Sequence, residues 1–405
     1  MGVKKVSGKI HLADIPYDQV YLELTERSVS LVHDIVVKSG LVIDDNLKQQ
    51  IYRLKKSRRI SLGMLRQISR ILDIGIRYFE KNILSITSVR NTRVGIRDPK
   101  LPFDLARPEG VRLISALMGD GGLSSLFLPR YNNQDKELID SILGCFRSVF
   151  GDIDHKLYPR DDKTYQLAFP KIAGLILTLV GVRPGYKSST NYGIPDFIKT
   201  SPTKKRYIFI RQFYSDEGNV RLKDRRLQVK QTTSVHSDKV TLRKNPYRFA
   251  HKVLIDLHDM LEDLGIRSKI SLGAYRKEDK KADWELSIYG KDELEKFKKH
   301  IGFYQEYKNI LLSRSLSSYI FPSAARNQTL GFALECFRNV QDRTGYATKH
   351  LLAKASKRSL KTATYYLIDL KKRGLIEELD RPRDAKGHFL PRRYIQKTTS
   401  PLSPS

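Results

Sequence analysis

Apolar residues recur at helical spacing early in the chain. In SLGMLRQISRILDI, an apolar stripe at helical spacing predicts a helix, formed by Leu65, Ile68, Ile71 and Leu72, and IRYFEKNIL is typical of a second short helix. Two short helices with a tight break between them indicate either a helix-turn-helix or a small helical cap. The stretch RDPKLPFDLARPEG then predicts a linker, with Pro108 as the first residue of the next helix. Residues 1–100 are therefore predicted to form a helical domain.

A weak internal repeat occupies residues 105–320. Each half begins with an apolar helix that ends in an acidic residue and a glycine, within ISALMGDGG in the first half and RQFYSDEGN in the second. Asp120 and Glu217 are the two acids, and their separation of 217 − 120 = 97 positions suits a duplicated domain. The two subdomains are predicted to span 105–200 and 201–320.

Both halves continue with the same predicted order: extended chain, a helix, two more strands and a final helix. For the first half, the pattern predicts strand 123–128, helix 134–148, strands 155–159 and 164–168, and helix 170–180. For the second half, it predicts hairpin 219–233, helix 247–264, strands 268–274 and 283–289, and helix 291–301.

The last part of the chain returns to helical periodicity. Three helices and a hairpin are predicted over 325–397, an order typical of a winged helix-turn-helix. The third helix is predicted to bury one face, formed by Leu360, Ala363, Leu367 and Leu370. The short polar tail, 398–405, is predicted to be disordered.

Charge narrows the classes of partner. The 405 residues include 74 Lys and Arg against 44 Asp and Glu, so the formal net charge is 74 − 44 = +30. This excess runs along the whole chain and favours phosphate polyanions as partners. The two cysteines are too few for a disulfide framework or a cysteine-rich zinc site, and they fit a reducing cytoplasm. No apolar run is long enough for a signal peptide or a membrane span, so a soluble, cytoplasmic protein without membrane contact is expected.

The two acid-glycine motifs carry a family resemblance. ISALMGDGG and RQFYSDEGN, with the later phrases LVGVRPGYKSSTNYGIPDFI and IGFYQEYKNILL, resemble the paired dodecapeptide motifs of LAGLIDADG homing endonucleases. The resemblance implies an α+β fold, a tandem αββαββα saddle with pseudo-two-fold symmetry. The implied activity is site-specific cleavage of double-stranded DNA by a monomer that uses Mg²⁺ or Mn²⁺.

The same resemblance assigns roles to individual residues. Asp120 and Glu217 would be metal ligands, together with the backbone carbonyls of Gly119 and Asp216, because hard oxygen donors suit Mg²⁺. Lys187 and Lys308 fall where the family places a basic residue near the cleavage centre. The alternative is that Asp120 and Glu217 are only surface acids at helix ends.

One departure from the family pattern affects the packing of the motif helices. Ser115 and Gly119 are small, as a close helix contact requires, but the second motif has Gln212 where a small residue is usual. This substitution predicts looser packing of the central helix pair.

Residues predicted to contact DNA lie in two places. On hairpin 219–233, Val220, Leu222, Leu227 and Val229 would face the core, and the polar side chains between them would suit the major groove; these are Arg221, Lys223, Gln228, Lys230 and Thr232. In the C-terminal region the candidates are the outward residues of the third helix and the basic residues of the hairpin; they are Lys361, Thr362, Thr364, Tyr365, Arg381, Arg383, Lys386, Arg392 and Arg393.

Two other functions remain open from the sequence. A regulator that binds DNA through a catalytically decayed core would keep the basic surfaces without cleavage. An RNA maturase would use the same saddle for intron RNA instead of double-stranded DNA.

Overall fold

The computed structural model describes residues 8–38, 45–90, 92–319, 328–379, 381–385 and 388–397. The chain divides into two compact units, Met1–Ser318 and Tyr319–Ser405. The predicted disordered tail lies outside the described residues. None of the helices in the described ranges combines the length and apolar character needed to cross a membrane.

The N-terminal part of the first unit mixes helices with strands. Among the described residues, its α-helices are α1 (Glu26–Lys38), α2 (Asp45–Ser57) and α3 (Leu62–Ile71). Its strands are β1 (Lys9–Ile10), β2 (Tyr21–Leu24), β3 (Arg59–Ser61), β4 (Ile83–Thr87), β5 (Ile96–Arg97) and β6 (Phe103–Asp104). The prediction of a helical domain over 1–100 is therefore wrong, because strands make up part of this region.

The helix-turn-helix prediction for this region is also wrong. The first helix is present as α3, but IRYFEKNIL forms a 3-10 helix, Ile76–Asn82, that leads directly into strand β4. In β2, every second residue is buried, and Leu22 pairs with Ile86 of β4. Strand pairing with residues far away in the sequence outweighed the local helical pattern.

The remainder of the first unit contains the two halves of the repeat. The first half comprises α4 (Pro108–Met118), β7 (Gly121–Leu123), β8 (Pro129–Asn133), α5 (Lys136–Phe150), β9 (Asp152–Ile153), β10 (Lys156–Pro159), β11 (Tyr165–Ala168) and α6 (Lys171–Leu179). Short helices α7 (Lys187–Thr190) and α8 (Asp196–Lys199) connect the halves. The second half comprises α9 (Thr203–Glu217), β12 (Asn219–Arg221), β13 (Arg226–Ser234), α10 (Lys239–Lys244), α11 (Pro246–Phe249), α12 (Lys252–Asp263), β14 (Lys269–Arg276), β15 (Lys281–Tyr289), α13 (Lys291–His300) and α14 (Glu306–Ser317).

Both halves build a four-stranded antiparallel sheet with the same topology. The spatial order is β10-β11-β8-β7 in the first sheet and β12-β13-β15-β14 in the second. If the four strands of each sheet are numbered in chain order, the first pairs with the second, the second with the fourth, and the fourth with the third. The two halves are thus αββαββα repeats, as the α+β prediction implied, and Pro108 begins α4 as predicted.

One strand of the first half was misplaced along the sequence. The prediction put a strand at 123–128, but β7 ends at Leu123 and β8 begins at Pro129, so most of that stretch is the connecting turn. In this turn Phe127 has a φ of 62°, which interrupts extended backbone.

The N-terminal part is joined to the first half by backbone hydrogen bonds. Strand β9 completes a five-stranded sheet of order β3-β2-β4-β5-β9, and β1 pairs with β6 just before α4. Ile96 and Ile153 face each other across the β5–β9 pair, and both are buried.

The described part of the second unit contains three helices and a small sheet. The helices are α15 (Thr329–Thr344), α16 (Lys349–Ala355) and α17 (Leu360–Lys372), and β16 (Ile376–Glu378) pairs with β17 (Tyr394–Gln396). Ala363, Leu367 and Leu370 of α17 are buried in a common core, whereas Leu360 is 46% exposed. Leu360 is the first residue of α17 and lies outside the core, so its predicted burial is wrong. The order of elements is the predicted one, and the assignment as a winged helix stays a prediction.

Candidate functional site

Helices α4 and α9 cross in close contact at the centre of the first unit. The Ser115 hydroxyl donates a hydrogen bond to the Phe209 carbonyl at 2.7 Å within the buried contact. A Cβ atom on Gly119 would lie 2.6 Å from Asp216 Oδ2 and 2.8 Å from Asp216 Cβ, so only glycine fits there. Gly119 and Asp216 are 216 − 119 = 97 positions apart, the spacing of the repeat. Equivalent positions of the two motifs therefore meet at the crossing, as pseudo-two-fold symmetry requires.

Gln212 does not loosen this helix pair, contrary to the prediction. Its side chain is fully buried and bridges the two helices. Arg112 Nε donates to Gln212 Oε1 at 2.8 Å, and Gln212 Nε2 donates to Asp216 Oδ1 at 2.9 Å. The long amide is accommodated because polar partners on both helices satisfy it.

Asp216 is buried beneath the crossing. The Tyr131 hydroxyl donates to its Oδ1 at 2.7 Å, whereas its buried Oδ2 has no hydrogen-bond partner. Burial, reinforced by the charge of Asp120, raises the pKa of Asp216 well above its ordinary value. Its carboxyl group is therefore part of the helix packing, and only its backbone carbonyl stays a predicted metal ligand.

Asp120 lies just after the end of α4, and its side chain lines a cavity of about 390 Å³. Asn133 Nδ2 donates to Asp120 Oδ2 at 2.9 Å, and Asn132 Nδ2 donates to its backbone carbonyl at 3.3 Å. Burial, together with the charge of Glu217, raises the pKa of Asp120 to about 6. The ends of the two motifs lie close together, because Gly119, the residue before Asp120, packs against Asp216, the residue before Glu217.

Glu217 ends α9 and opens into a second cavity of about 570 Å³. The Nζ atom of Lys187 lies 4.0 Å from Glu217 Oε1. Lys187 comes from the first half, whereas Glu217 comes from the second.

The two lysines form a matching pair across the pseudo-two-fold axis. Lys187 Nζ donates to the Gly119 carbonyl, and Lys308 Nζ, at the start of α14, donates to the Ser215 carbonyl. Burial lowers the pKa of both lysines. Lys308 lines the cavity of Asp120, and Lys187 lines that of Glu217. Each cavity thus combines an acid from one half with a lysine from the other.

The donors in these cavities suit a hard divalent cation. The cavity of Asp120 offers a carboxylate and the side chain of Gln305, whose Oε1 is buried without a hydrogen-bond partner. Oxygen donors of this kind are the ligands preferred by Mg²⁺. Within the described part of the chain, there is no group of three or more His, Cys, Asp or Glu side chains that could hold a metal alone. Backbone carbonyls, waters and a bound phosphate would have to complete any coordination shell.

Only some of the polar residues predicted to contact DNA are exposed on the second-half sheet. Arg221, Lys230 and Thr232 lie on the strands and are exposed or half-buried. Gln228 is only 1% exposed, so it is not available at the surface as predicted, and Lys223 lies in the turn between β12 and β13. Leu222 is in the same turn and is 44% exposed, so its predicted core position is wrong. The tight turn takes up Leu222–Arg225, and the alternation of the strands does not continue through it.

Two acids on the outer face of this sheet were not among the residues predicted from the sequence. Glu285 Oε1 lies 3.1 Å from Lys230 Nζ, and Asp283 accepts a hydrogen bond from the Thr232 hydroxyl at 2.7 Å. Arg276 also pairs with Asp283, at 2.9 Å. Both acids alternate with buried Ala282, Trp284 and Leu286 in ADWELSIY, and this period of two could have placed them on the outer face.

In the second unit the predicted DNA-binding residues are exposed or half-buried. Tyr365 is 60% exposed on α17, beside Lys361, Thr362 and Thr364. The basic residues between β16 and β17 have partners within the unit: Arg381 and Arg383 stack on Phe389, Arg392 pairs with Glu378, and Arg393 stacks on Tyr346. Lys386 lies outside the described residues.

The first unit therefore belongs to a defined class: a duplicated αββαββα saddle with paired acids at two crossing helices. Residues 205–302 match the family model of the LAGLIDADG-like domain, a stretch that runs from α9 to just beyond α13. Residues 205–302, which contain the second motif, are therefore similar to the LAGLIDADG-like domain, and the family resemblance is confirmed for this half; the first motif lies outside the matched residues.

Several solved structures are similar to about half of this chain at low sequence identity. The homing endonuclease I-DmoI in complex with DNA and Ca is 19% identical, over 49% of this chain and 90% of that chain, with a TM-score of 0.32. I-DmoI with DNA and Mn is 16% identical, over 49% and 97%, with a TM-score of 0.31. The N-terminal LAGLIDADG domain of DUF199/WhiA is 10% identical, over 52% and 89%, with a TM-score of 0.32. None of the curated proteins is significantly similar to this chain.

Proposed function

We propose that the protein is a site-specific endonuclease that hydrolyses one phosphodiester in each strand of a double-stranded DNA target. The observation that carries this proposal is the crossed arrangement of acids and lysines. Two cavities flank one helix crossing, and each holds one acid and one lysine from opposite halves. Two equivalent sites on one chain match two scissile phosphates on opposite strands, so the protein would act as a monomer.

The side chains divide the chemistry between them. Asp120 and Glu217 would hold Mg²⁺ or Mn²⁺ through their carboxylates, with the carbonyls of Gly119 and Asp216 nearby. When bound, the cation would lower the pKa of a coordinated water and offset charge on the phosphate. Lys187 and Lys308 would donate to the negative charge that develops on phosphate oxygens as the water oxygen bonds to phosphorus and the bond to the leaving oxygen breaks. Their lowered pKa values make them better proton donors than an exposed lysine.

DNA binding would use both sheets of the first unit. Arg221, Lys223, Lys230 and Thr232 would contact base edges and phosphates from the second-half sheet, whereas Gln228 is buried and would not. The second unit would contribute the exposed residues of α17 and the basic residues between β16 and β17.

Incubation with a library of duplex targets tests the proposal. With Mg²⁺ the protein should produce discrete double-strand cuts, and EDTA should prevent them. Strong binding to duplex DNA without any cut, unchanged by EDTA, would contradict the proposal and favour the transcriptional regulator. Preference for structured intron RNA over duplex DNA in a competition assay would contradict it in favour of the maturase.

A further inference from the structure

A cavity of about 680 Å³ lies where the N-terminal sheet meets the first-half sheet. We propose that this cavity is an additional binding site for the DNA backbone, which holds a phosphate and its sugar in the flank of the target on the side of Asp120. The inference rests on the proposed function, because it extends the DNA interface of that same saddle. It gives the N-terminal part of the chain a role that the sequence left open.

The wall contributed by the N-terminal part is fixed in place. Strands β5 and β9 pair, and the Gly95 amide donates to Asp154 Oδ2 at 2.8 Å. Arg97 forms ion pairs with Asp152 at 2.8 Å and Asp154 at 3.0 Å. A Cβ atom on Gly95 would lie 2.2 Å from the Ile86 carbonyl oxygen, so the backbone there is closely packed. The loop that precedes β5 is therefore held against the first-half sheet.

The charges that remain at this cavity are positive. Arg97 already offsets Asp152 and Asp154, the acids closest to it. Arg93, Arg130 and Lys156 are exposed at the cavity, and in the described ranges none of the three forms an ion pair. Three cations, one from a loop and two from strands, line the same cavity, so together they would attract a phosphate.

The cavity is continuous with the proposed DNA-binding face. On the outer face of the first-half sheet, Asn132, Gln166 and Tyr158 form one cross-strand row, and Arg130, Ala168 and Lys156 form the next. Gln166 Nε2 donates to Asn132 Oδ1 at 2.8 Å. Asn132 also lines the cavity of Asp120, while Gln166 lines the cavity beside Arg93. One surface thus leads from the candidate cleavage site to the N-terminal wall.

An apolar patch beside the cations fits a sugar. Val94 is 53% exposed, and it lies in the same cavity as Leu128 and Pro170. A nucleic-acid backbone presents a charged phosphate next to a less polar sugar, so this combination of surfaces favours DNA over a simple anion. The position of the patch, continuous with the saddle, favours the same duplex that the saddle would hold.

Footprinting with matched variants tests the inference. Arg93→Ala removes a cation from the cavity, whereas Arg90→Ala removes an exposed cation from the same loop outside it. Each protein is bound to a duplex that extends well beyond the target and to a shorter duplex that carries the central target alone. Protection from hydroxyl radicals, affinity and its salt dependence are measured.

We expect Arg93→Ala to lose protection in the flank on the Asp120 side and to keep the central protection. On the long duplex, the slope of log affinity against log salt concentration should become less steep by roughly 0.9, the contribution of one phosphate contact. Its affinity for the short duplex should not change. Arg90→Ala should behave as the wild type on both duplexes.

Equal behaviour of the two variants on the long duplex would overturn the inference. Wild-type protection that is confined to the centre would also overturn it, and would leave the cavity to a partner other than DNA, such as an acidic peptide. Failure of the wild type to protect either duplex would instead overturn the proposed function.

Discussion

The two sheets of the saddle share one topology, but the cations on their outer faces differ in whether they are paired with acids. On the first-half face, Arg130 and Lys156 stand beside neutral Asn132 and Gln166. On the second-half face, Lys230 and Arg276 are each held by an acid of β15, either Glu285 or Asp283. Duplication thus preserved the backbone, while the outer faces diverged.

The difference indicates a division of labour within the proposed interface. Free cations attract any phosphate backbone, because this attraction does not depend on the base sequence. Cations paired with acids are already oriented. The acids repel a phosphate, but they can accept a hydrogen bond from a donor on a base edge, so they favour particular bases. We therefore infer that the first-half sheet supplies affinity and the second-half sheet supplies selectivity.

At the centre, by contrast, the two halves are expected to be equivalent. Lys187→Met and Lys308→Met each remove one lysine from one cavity. Loss of a charged donor to the developing phosphate charge should slow cleavage about 10²-fold in both variants, with DNA affinity largely retained. Single-turnover cleavage rates at saturating protein would check this. A large effect of one variant and none of the other would break the central symmetry.

The helix crossing should be sensitive to a single methyl group. Gly119→Ala brings a Cβ atom against Asp216 and should lower the free energy of unfolding by about 1–3 kcal/mol. In Gly119→Ala/Asp216→Ala, removal of the Asp216 carboxyl group should recover part of this loss, so the two substitutions should not be additive. Denaturant unfolding of the two single variants and the double variant measures the coupling. Strict additivity would mean that the two positions do not touch.

Affinity should depend most on the first-half face. Arg130→Ala/Lys156→Ala should weaken binding to any duplex and lower the log–log salt slope by roughly 0.9 for each lost phosphate contact. Lys298→Ala/Lys299→Ala is the matched control, because it removes the same charge from α13, which packs on the other side of the second-half sheet. Binding titrations at several salt concentrations would compare them. Similar slopes for both double variants would show that net charge alone matters.

Selectivity should depend on the second-half face, with a smaller effect. Glu285→Gln keeps the shape of the side chain but releases Lys230 and Arg226 from its charge. Affinity for arbitrary duplexes should rise several-fold, and the ratio of target to non-target affinity should fall. Glu295→Gln on α13 removes a carboxylate outside the face and should change neither. An unchanged ratio in Glu285→Gln would contradict the division of labour.

The sequence predicted the features that local pattern encodes. The two motif helices, their acids and most strands of the repeat follow from periodicity and from a spacing of 97 positions. Lys187 and Lys308 were predicted from the short sequence phrases that close the two halves, and in the fold both line the cavities. Asp120 and Glu217 could be found because a helix end with an acid and a glycine is a local signal.

Features that depend on contacts distant in the sequence were missed. Gln212 was expected to disturb the helix crossing, but its partners Arg112 and Tyr131 come from the other half and reach it only in the fold. The N-terminal strands are only two to five residues long, and they pair with segments up to 104 − 9 = 95 positions away. The cavity beside Arg93 forms only where two sheets meet, so no single stretch of sequence indicates it.

Cleavage of each strand by single-acid variants tests the central account most directly. A duplex target labelled on both strands would be incubated with Mg²⁺ and the wild type, Asp120→Asn or Glu217→Gln, with binding measured in parallel. We predict that the wild type cuts both strands, and that either substitution abolishes double-strand cutting while target binding is retained. Double-strand cutting at the wild-type rate by both variants would show that the paired acids are not the site of the chemistry.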